Sequence, residues 1–220
     1  MNSKTRQVLV TGFEPFGGET VNPSALIASS LDGEEVDGAW IVGRVLPCVF
    51  DEAASRLTAW VDECDPQVVL CLGQAGGRTG ITVERVAINL DDARIPDNRG
   101  AQPVDRPIVR GAPVGYWSTL PIKAMVSDLR EAGVPASVSQ TAGTFVCNHV
   151  FYSLMHHLAA RPAEGRIAAG FVHVPWLPEQ AARQTDQPSL PLEVQLTAVR
   201  HLVRTALMGV ERHVEGGSES

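Results

Sequence analysis

No stretch of this 220-residue sequence approaches the roughly 18 consecutive apolar residues that a membrane-spanning helix needs. Nothing with the pattern of a secretory leader precedes the first apolar run, so the chain is expected to work in the cytoplasm. Its four cysteines, Cys48, Cys64, Cys71 and Cys147, form no C-x-x-C pair, and none stands at a zinc-type spacing from a histidine. A disulfide framework and a zinc module are thereby excluded, which leaves four reduced thiols. Positive charge is not in excess, and a net charge of −7 argues against nucleic acid or an anionic membrane as partner. The first glycine-rich loop, residues 14–24, fits neither G-x-x-x-x-G-K-[ST] nor G-x-G-x-x-G, so it is no phosphate cradle. Internal repeats, linkers and shifts of composition are missing as well. One domain is expected over residues 1–210, with a frayed polar tail at 211–220.

What is present alternates. Residues 7–13 form a short continuous apolar run, the pattern of a strand buried on both faces. Residues 40–46, 68–73 and 167–175 read as further strands, and residues 136–139 can form a short one. Asn22 followed by Pro23 caps a helix running to residue 31. Apolar spacing predicts helices over 49–64, 120–133 and 192–208. Residues 81–90 are rich in β-formers but carry Glu84 and Arg85 in their middle. Residues 91–115 and 176–191 read as long loops; unstructured stretches of such length are uncommon in compact domains and are often functional. Strands alternating with helices predict an α/β sheet covered on both faces.

The candidate site begins at Cys147. Residues 139–143 are turn-like, and Val150, Phe151, Leu154, Met155 and Leu158 then recur at helical spacing. Cys147 therefore stands at or near a helix N-terminus, where unpaired N–H groups and the helix dipole favour a thiolate. A free cysteine is more commonly inert core, so its role depends on partners. A helix terminus contributes about 0.3–1 kcal/mol, less than one pKa unit. An imidazolium about 4 Å away, at an effective dielectric near 20, contributes roughly 4 kcal/mol. Only the second makes a stable thiolate, so a nucleophilic Cys147 needs a histidine. His149 lies about 200° around the helix from it. His156 and His157 are two turns or more away, His201 belongs to the last helix and His213 to the tail. His173 ends a buried strand at its carboxyl edge, where open α/β sheets collect ligand sites. For the acid that orients a base, Glu84 on its strand competes with Asp91, Asp92 and Asp97 in polar loop sequence. Phe13 and Phe16 lie in or beside a loop at the carboxyl end of the first strand, placed to meet a ligand or simply to pack the loop down.

Four ordered blocks resemble pyroglutamyl peptidase type I, a cysteine peptidase family also called pyrrolidone-carboxylate peptidase. They are VLVTGFEPFGG at 8–18 with Asn22-Pro23-Ser24, GQAGGR at 73–78 with TVERVAIN at 82–89 and ARIPDN at 93–98, TAGTFVCN at 141–148, and FVHVP at 171–175. The resemblance implies a single-domain three-layer α/β/α sandwich with a central, mostly parallel but mixed, twisted sheet. It also implies a homo-oligomer, dimer or tetramer. By the same resemblance Cys147 is the nucleophile, His173 its base and later acid, and Glu84 the residue orienting His173. The implied activity removes an N-terminal pyroglutamyl residue from peptides, without metal or cofactor. Phe13, Phe16, Phe145 and Val146 would wall the lactam pocket, with Ile95 also on the substrate side. Gln74 and Asn22 would supply polar groups near the substrate, and Arg94 would stand near the oxyanion. Cys48 occupies a pocket-edge position where a small polar residue is expected. Two other readings stand beside this one: a different Cys–His amidase on a similar fold, and a small-molecule binding protein using Phe13 and Phe16 as a stacking site.

Overall fold

The apolar runs pair edge to edge. In the computed structural model, which describes residues 6–162, 166–212, 215 and 217, seven strands form one sheet. They are β1 (Gln7–Phe13), β2 (Glu35–Val36), β3 (Ala39–Leu46), β4 (Val68–Gln74), β5 (Ile81–Glu84), β8 (Ala136–Ser139) and β9 (Ala168–Val174), in the order β2-β3-β1-β4-β9-β5-β8. β6 (Val86–Ile88) and β7 (Gly115–Trp117) make a separate antiparallel pair. The helices are α1 (Pro23–Leu31), α2 (Glu52–Cys64), α3 (Ile122–Glu131), α4 (Val146–Ala159), α5 (Pro178–Ala181) and α6 (Leu192–Met208).

Strands β3, β1, β4 and β9 are mutually parallel. β5 runs antiparallel to β9, and β8 parallel to β5. The reversal has a simple cause: only the short 75–80 turn separates β4 from β5, whereas a parallel return needs a crossover of a dozen residues or more. Central strands are buried on both faces, which is why β1 and β4 read as unbroken apolar runs. Ile27 and Leu31 of α1, Met125 and Leu129 of α3, and Leu202 and Val203 of α6 pack in one cluster with Val8, Val10 and Leu70. Leu57 and Val61 of α2 and Phe151 and Leu154 of α4 pack in the other with Leu9, Val69, Cys71 and Phe171. Alternate residues of each strand thus feed opposite layers, giving the α/β/α sandwich.

Several elements differ from their sequence expectation. The helix anticipated from residue 49 begins at Glu52, because Asp51 takes φ 58° and the chain turns there. The 81–90 run splits between two sheets: Arg85 donates its N–H to Ser139 O, accepts the Ser118 N–H, and turns the chain off the main sheet. β2 and β7 are two and three residues long, too short to show a period, and α5 forms inside the expected 176–191 loop. The tail is not free at its start. Glu211 accepts the N–H groups of Lys123 and Ala124 at the beginning of α3, and Arg212 reaches Ser127 and Glu131. Among the described residues, no helix is long and apolar enough to cross a membrane.

Candidate active site

The α4 start is built for an open N-terminus. Gly143 takes φ 80°, a left-handed turn that suits glycine, and Thr144 pairs with Asp92 through both its carbonyl and its hydroxyl. Phe145 then stands extended at the N-cap and offers no side-chain acceptor. By contrast, Asn22 caps α1 and Glu211 takes the first N–H groups of α3. The first-turn N–H groups of α4, which have no partner one turn back, are left for something else.

Cys147 is the second residue of α4, and its thiol lies over Gly73 of β4. A Cβ at position 73 would stand 2.8 Å from Cys147 Sγ and equally close to the Phe171 ring, so only glycine leaves the sulfur this place. In the strand register Gly73 faces His173 of β9, and His173 in turn faces Thr82 of β5. This brings Glu84, two residues along β5 on the same face, to His173: Nδ1 and Glu84 Oε1 are 2.8 Å apart. The carboxylate holds Nδ1 as the donor and directs Nε2 elsewhere. Glu84 is fully buried and has a cation of its own. Arg78 Nη1 donates to Glu84 Oε1 at 2.7 Å and also bonds Thr82, while its Nη2 reaches Thr141 O at 3.4 Å.

Burial pushes the Cys147 thiol well above its ordinary value, and the neighbouring Cys48 and Glu84 add to the shift. Burial also pushes His173 below its ordinary value, against the opposing pull of the Glu84 hydrogen bond. Both directions favour the neutral thiol beside the neutral imidazole. The stable thiolate–imidazolium pair expected from sequence must therefore be held against the desolvation of both partners, a cost that the pairwise attraction alone leaves out.

An aromatic cluster flanks the thiol. Phe13 and Phe171 have ring centroids 6.3 Å apart, Phe16 and Phe145 6.0 Å, and Phe171 and His173 4.9 Å. Phe50 meets Phe145 edge-on at 5.4 Å. Apolar walls next to a cysteine–histidine–glutamate set suit thiolate acyl transfer on a flat, uncharged acyl group.

The profile of the pyroglutamyl peptidase family matches residues 6–208. The pyrrolidone-carboxylate peptidase of Bacillus cytotoxicus is 52% identical over 212 residues, covering 96% of this chain and 98% of that protein. The protein of the same name from Cupriavidus taiwanensis is 60% identical over 200 residues, with 91% and 92% covered. The crystal structure of pyroglutamyl peptidase I from Bacillus amyloliquefaciens superposes with a TM-score of 0.90 at 45% identity, covering 96% of this chain and 99% of that one. The chain belongs to the pyroglutamyl peptidase family.

The remaining expected site residues of this pyroglutamyl peptidase family member fall in different places. Phe16, Phe145 and Ile95 are half-buried, Phe13 is buried, and Arg94 is exposed on the 91–115 loop. Val146 is wholly buried in the core beneath the cluster. Asn22 is engaged structurally: its Oδ1 accepts Ser24 N–H and Oγ–H, and its Nδ2 donates to Glu14 O, closing the 14–24 loop. Gln74 Oε1 accepts a hydrogen bond from Gln180 at 2.9 Å. Cys48 is buried, with its thiol pushed up to about 12 by burial and then by Glu14 and Asp97. Its backbone joins Glu14 to Asn98, which ties the first loop to the 91–115 loop.

The other described histidines are engaged away from the thiol. His149 meets Asp91, His156 meets Tyr116, His157 meets Asp62 and His201 meets Asp128; His213 lies outside the described residues. Sequence reasoning assigned no role to Arg78, although a lone buried acid on a strand calls for a cation. It also placed Phe50 in a helix that does not include it. A groove of about 760 Å³ lined by Arg78, Thr82, Ser137 and Arg130 lies at the Glu84 end and does not include the thiol. Among the described residues, no group of three His, Cys, Asp or Glu side chains is placed to hold a metal.

Proposed function

We propose that this chain is a cysteine exopeptidase that removes an N-terminal pyroglutamyl residue from peptides, with Cys147 as nucleophile, His173 as base and acid, and Glu84 as orienting group. The observation that carries it is the register of three strands: Gly73 under the thiol, His173 beside Gly73, and Glu84 2.8 Å from His173 Nδ1. The family membership of the chain supports the substrate class.

Pyroglutamate carries no N-terminal charge, and the aromatic cluster offers it none to meet. Phe13, Phe16 and Phe145 line the lactam ring. Gln74 and the α4 start offer polar groups to its N–H and C=O, and Asn22 holds the loop that carries Phe16. His173 Nε2 takes the Cys147 proton as sulfur attacks the carbonyl after the lactam ring. Burial opposes charge on both partners, and Glu84, held on Nδ1, stabilises the imidazolium as the proton arrives. The oxyanion lies against the uncapped first turn of α4, with Arg94 able to approach from the loop. The carbon–nitrogen bond then breaks as His173 protonates the leaving amine. Water, activated by His173, hydrolyses the thioester and releases pyroglutamate.

We place the protein in the cytoplasm, where the four unpaired cysteines stay reduced. A homo-oligomer fits the exposed Val114 and Trp117, which give an assembly apolar surface. The test of function is release of a fluorophore from a pyroglutamyl amide. Cys147→Ala is expected to lower kcat by about 10³-fold or more, with the fold unchanged by circular dichroism. Undiminished turnover in Cys147→Ala, or equal cleavage of ordinary aminoacyl amides by the parent, would sink the assignment.

A further inference from the structure

Two residues after Cys147, a second buried histidine belongs to a polar cluster that the chemistry above does not use. His149 is 2% exposed and Asp91 0%. His149 Nε2 accepts the Asp51 N–H at 3.1 Å, so Nδ1 carries the proton and donates it to Asp91 Oδ2 at 3.0 Å. Both ring nitrogens are thus satisfied in the neutral form. Asp91 also takes Arg106 Nη2 at 2.7 Å. One imidazole thereby joins the first turn of α4, the turn before α2, and the start of the 91–115 loop.

The same ring touches the aromatic wall. Phe50 stands edge-on to His149, with centroids 5.5 Å apart and planes at 83°. Phe50 is edge-on to Phe145 at 5.4 Å and 88°, and Phe145 packs on Phe16 at 6.0 Å. The Phe50 backbone is held from both sides, its own N–H by Asp97 Oδ2 at 3.0 Å and the next N–H by His149. A chain of contacts therefore runs from the buried His149–Asp91–Arg106 cluster to the rings beside the thiol.

We infer that His149 is a positioning residue for the lactam pocket: it fixes the turn carrying Phe50, and through Phe50 the ring of Phe145. It acts on affinity for the pyroglutamyl ring and not on proton transfer between Cys147 and His173. The inference rests on the pocket reading given under Proposed function.

His149→Phe keeps a ring against Phe50 and removes both hydrogen bonds. It is expected to raise KM for a pyroglutamyl amide about tenfold with kcat within about threefold. The 2-pyrrolidone concentration that protects Cys147 from iodoacetamide should rise about tenfold, while alkylation without 2-pyrrolidone keeps its rate. His149→Gln, which can keep a donor and an acceptor on one side chain, should stay within about threefold of the parent. If His149→Phe does not fold, Phe50→Leu removes the ring relay and leaves the polar cluster intact, with the same rise in KM and in protective concentration expected. Unchanged KM and protection in a folded variant overturns the inference, as does a parallel fall of kcat and alkylation rate. A parent protein that neither cleaves pyroglutamyl amides nor gains protection from 2-pyrrolidone overturns the pocket reading instead.

Discussion

Cys147 combines two opposing influences. The open helix start favours a negative sulfur by at most about 1 kcal/mol, while burial against the sheet opposes any charge there. His173 is likewise shifted toward its neutral form by burial, against the pull of Glu84. The sign of the pH dependence follows. A thiol raised above its ordinary value of 9.0 yields little thiolate at neutrality, and its thiolate fraction keeps rising as pH passes 9.0. Alkylation of Cys147 by iodoacetamide, followed site by site by mass spectrometry, is therefore expected to climb through that range. A plateau reached below neutrality would show a stable ion pair and reject the neutral resting state.

At the scale of the element, α4 sends three successive side chains to three places. Cys147 lies over Gly73, Asn148 turns to β6, and His149 turns to Asp91. Asn148 is fully buried; its Oδ1 accepts the Ile88 N–H at 3.0 Å, and its Nδ2 donates to Ile88 O at 2.9 Å and Leu90 O at 3.0 Å. It supplies on α4 the ladder partner that the short β6 lacks on that side. Asn148→Leu removes the partner of the Ile88 N–H and of Leu90 O, Ile88 O keeping the Leu90 N–H, and is expected to cost about 3 kcal/mol, read as a lower urea midpoint at unchanged slope. An unchanged midpoint would show that those groups find other partners.

At the scale of the molecule, the reversed pair β5 and β8 makes the site possible. Running antiparallel to β9, β5 brings Glu84 to His173 from the neighbouring strand, and β8 leads the chain into the α4 start, while the parallel half delivers Gly73 and His173. Burial of several thiols in this packing also shapes stability. Folded Cys48 and Cys71 are held near 12 by burial, whereas an unfolded thiol ionises near 9.0. A folded-state value raised above the unfolded one contributes stability that is complete below 9.0 and is lost as pH rises toward 12. Denaturant stability is expected to fall above pH 9.0 by about 1.4 kcal/mol per pH unit per buried thiol. Cys71→Ala should flatten that limb by one thiol's worth, and an identical slope in the variant would reject the linkage.

Elements whose burial repeats along the chain were legible from sequence. The 192–208 helix and the 136–139 strand occur at the anticipated residues, and Asn22 caps α1 as its side chain allows. The ordered blocks around Cys147, His173 and Glu84 were legible too, because each is a local motif. What the sequence could not state depends on which residues the fold brings together. Arg78 meets Glu84 across a turn, Phe50 reaches Phe145 because Asp51 breaks a helical pattern, and residues 81–90 divide between two sheets at Arg85. The surroundings of the thiol and the imidazole were decided only by the tertiary structure. Sequence names the charges that a thiol and an imidazole can carry, but desolvation is a property of the packed surroundings, and here it opposes the charge on both.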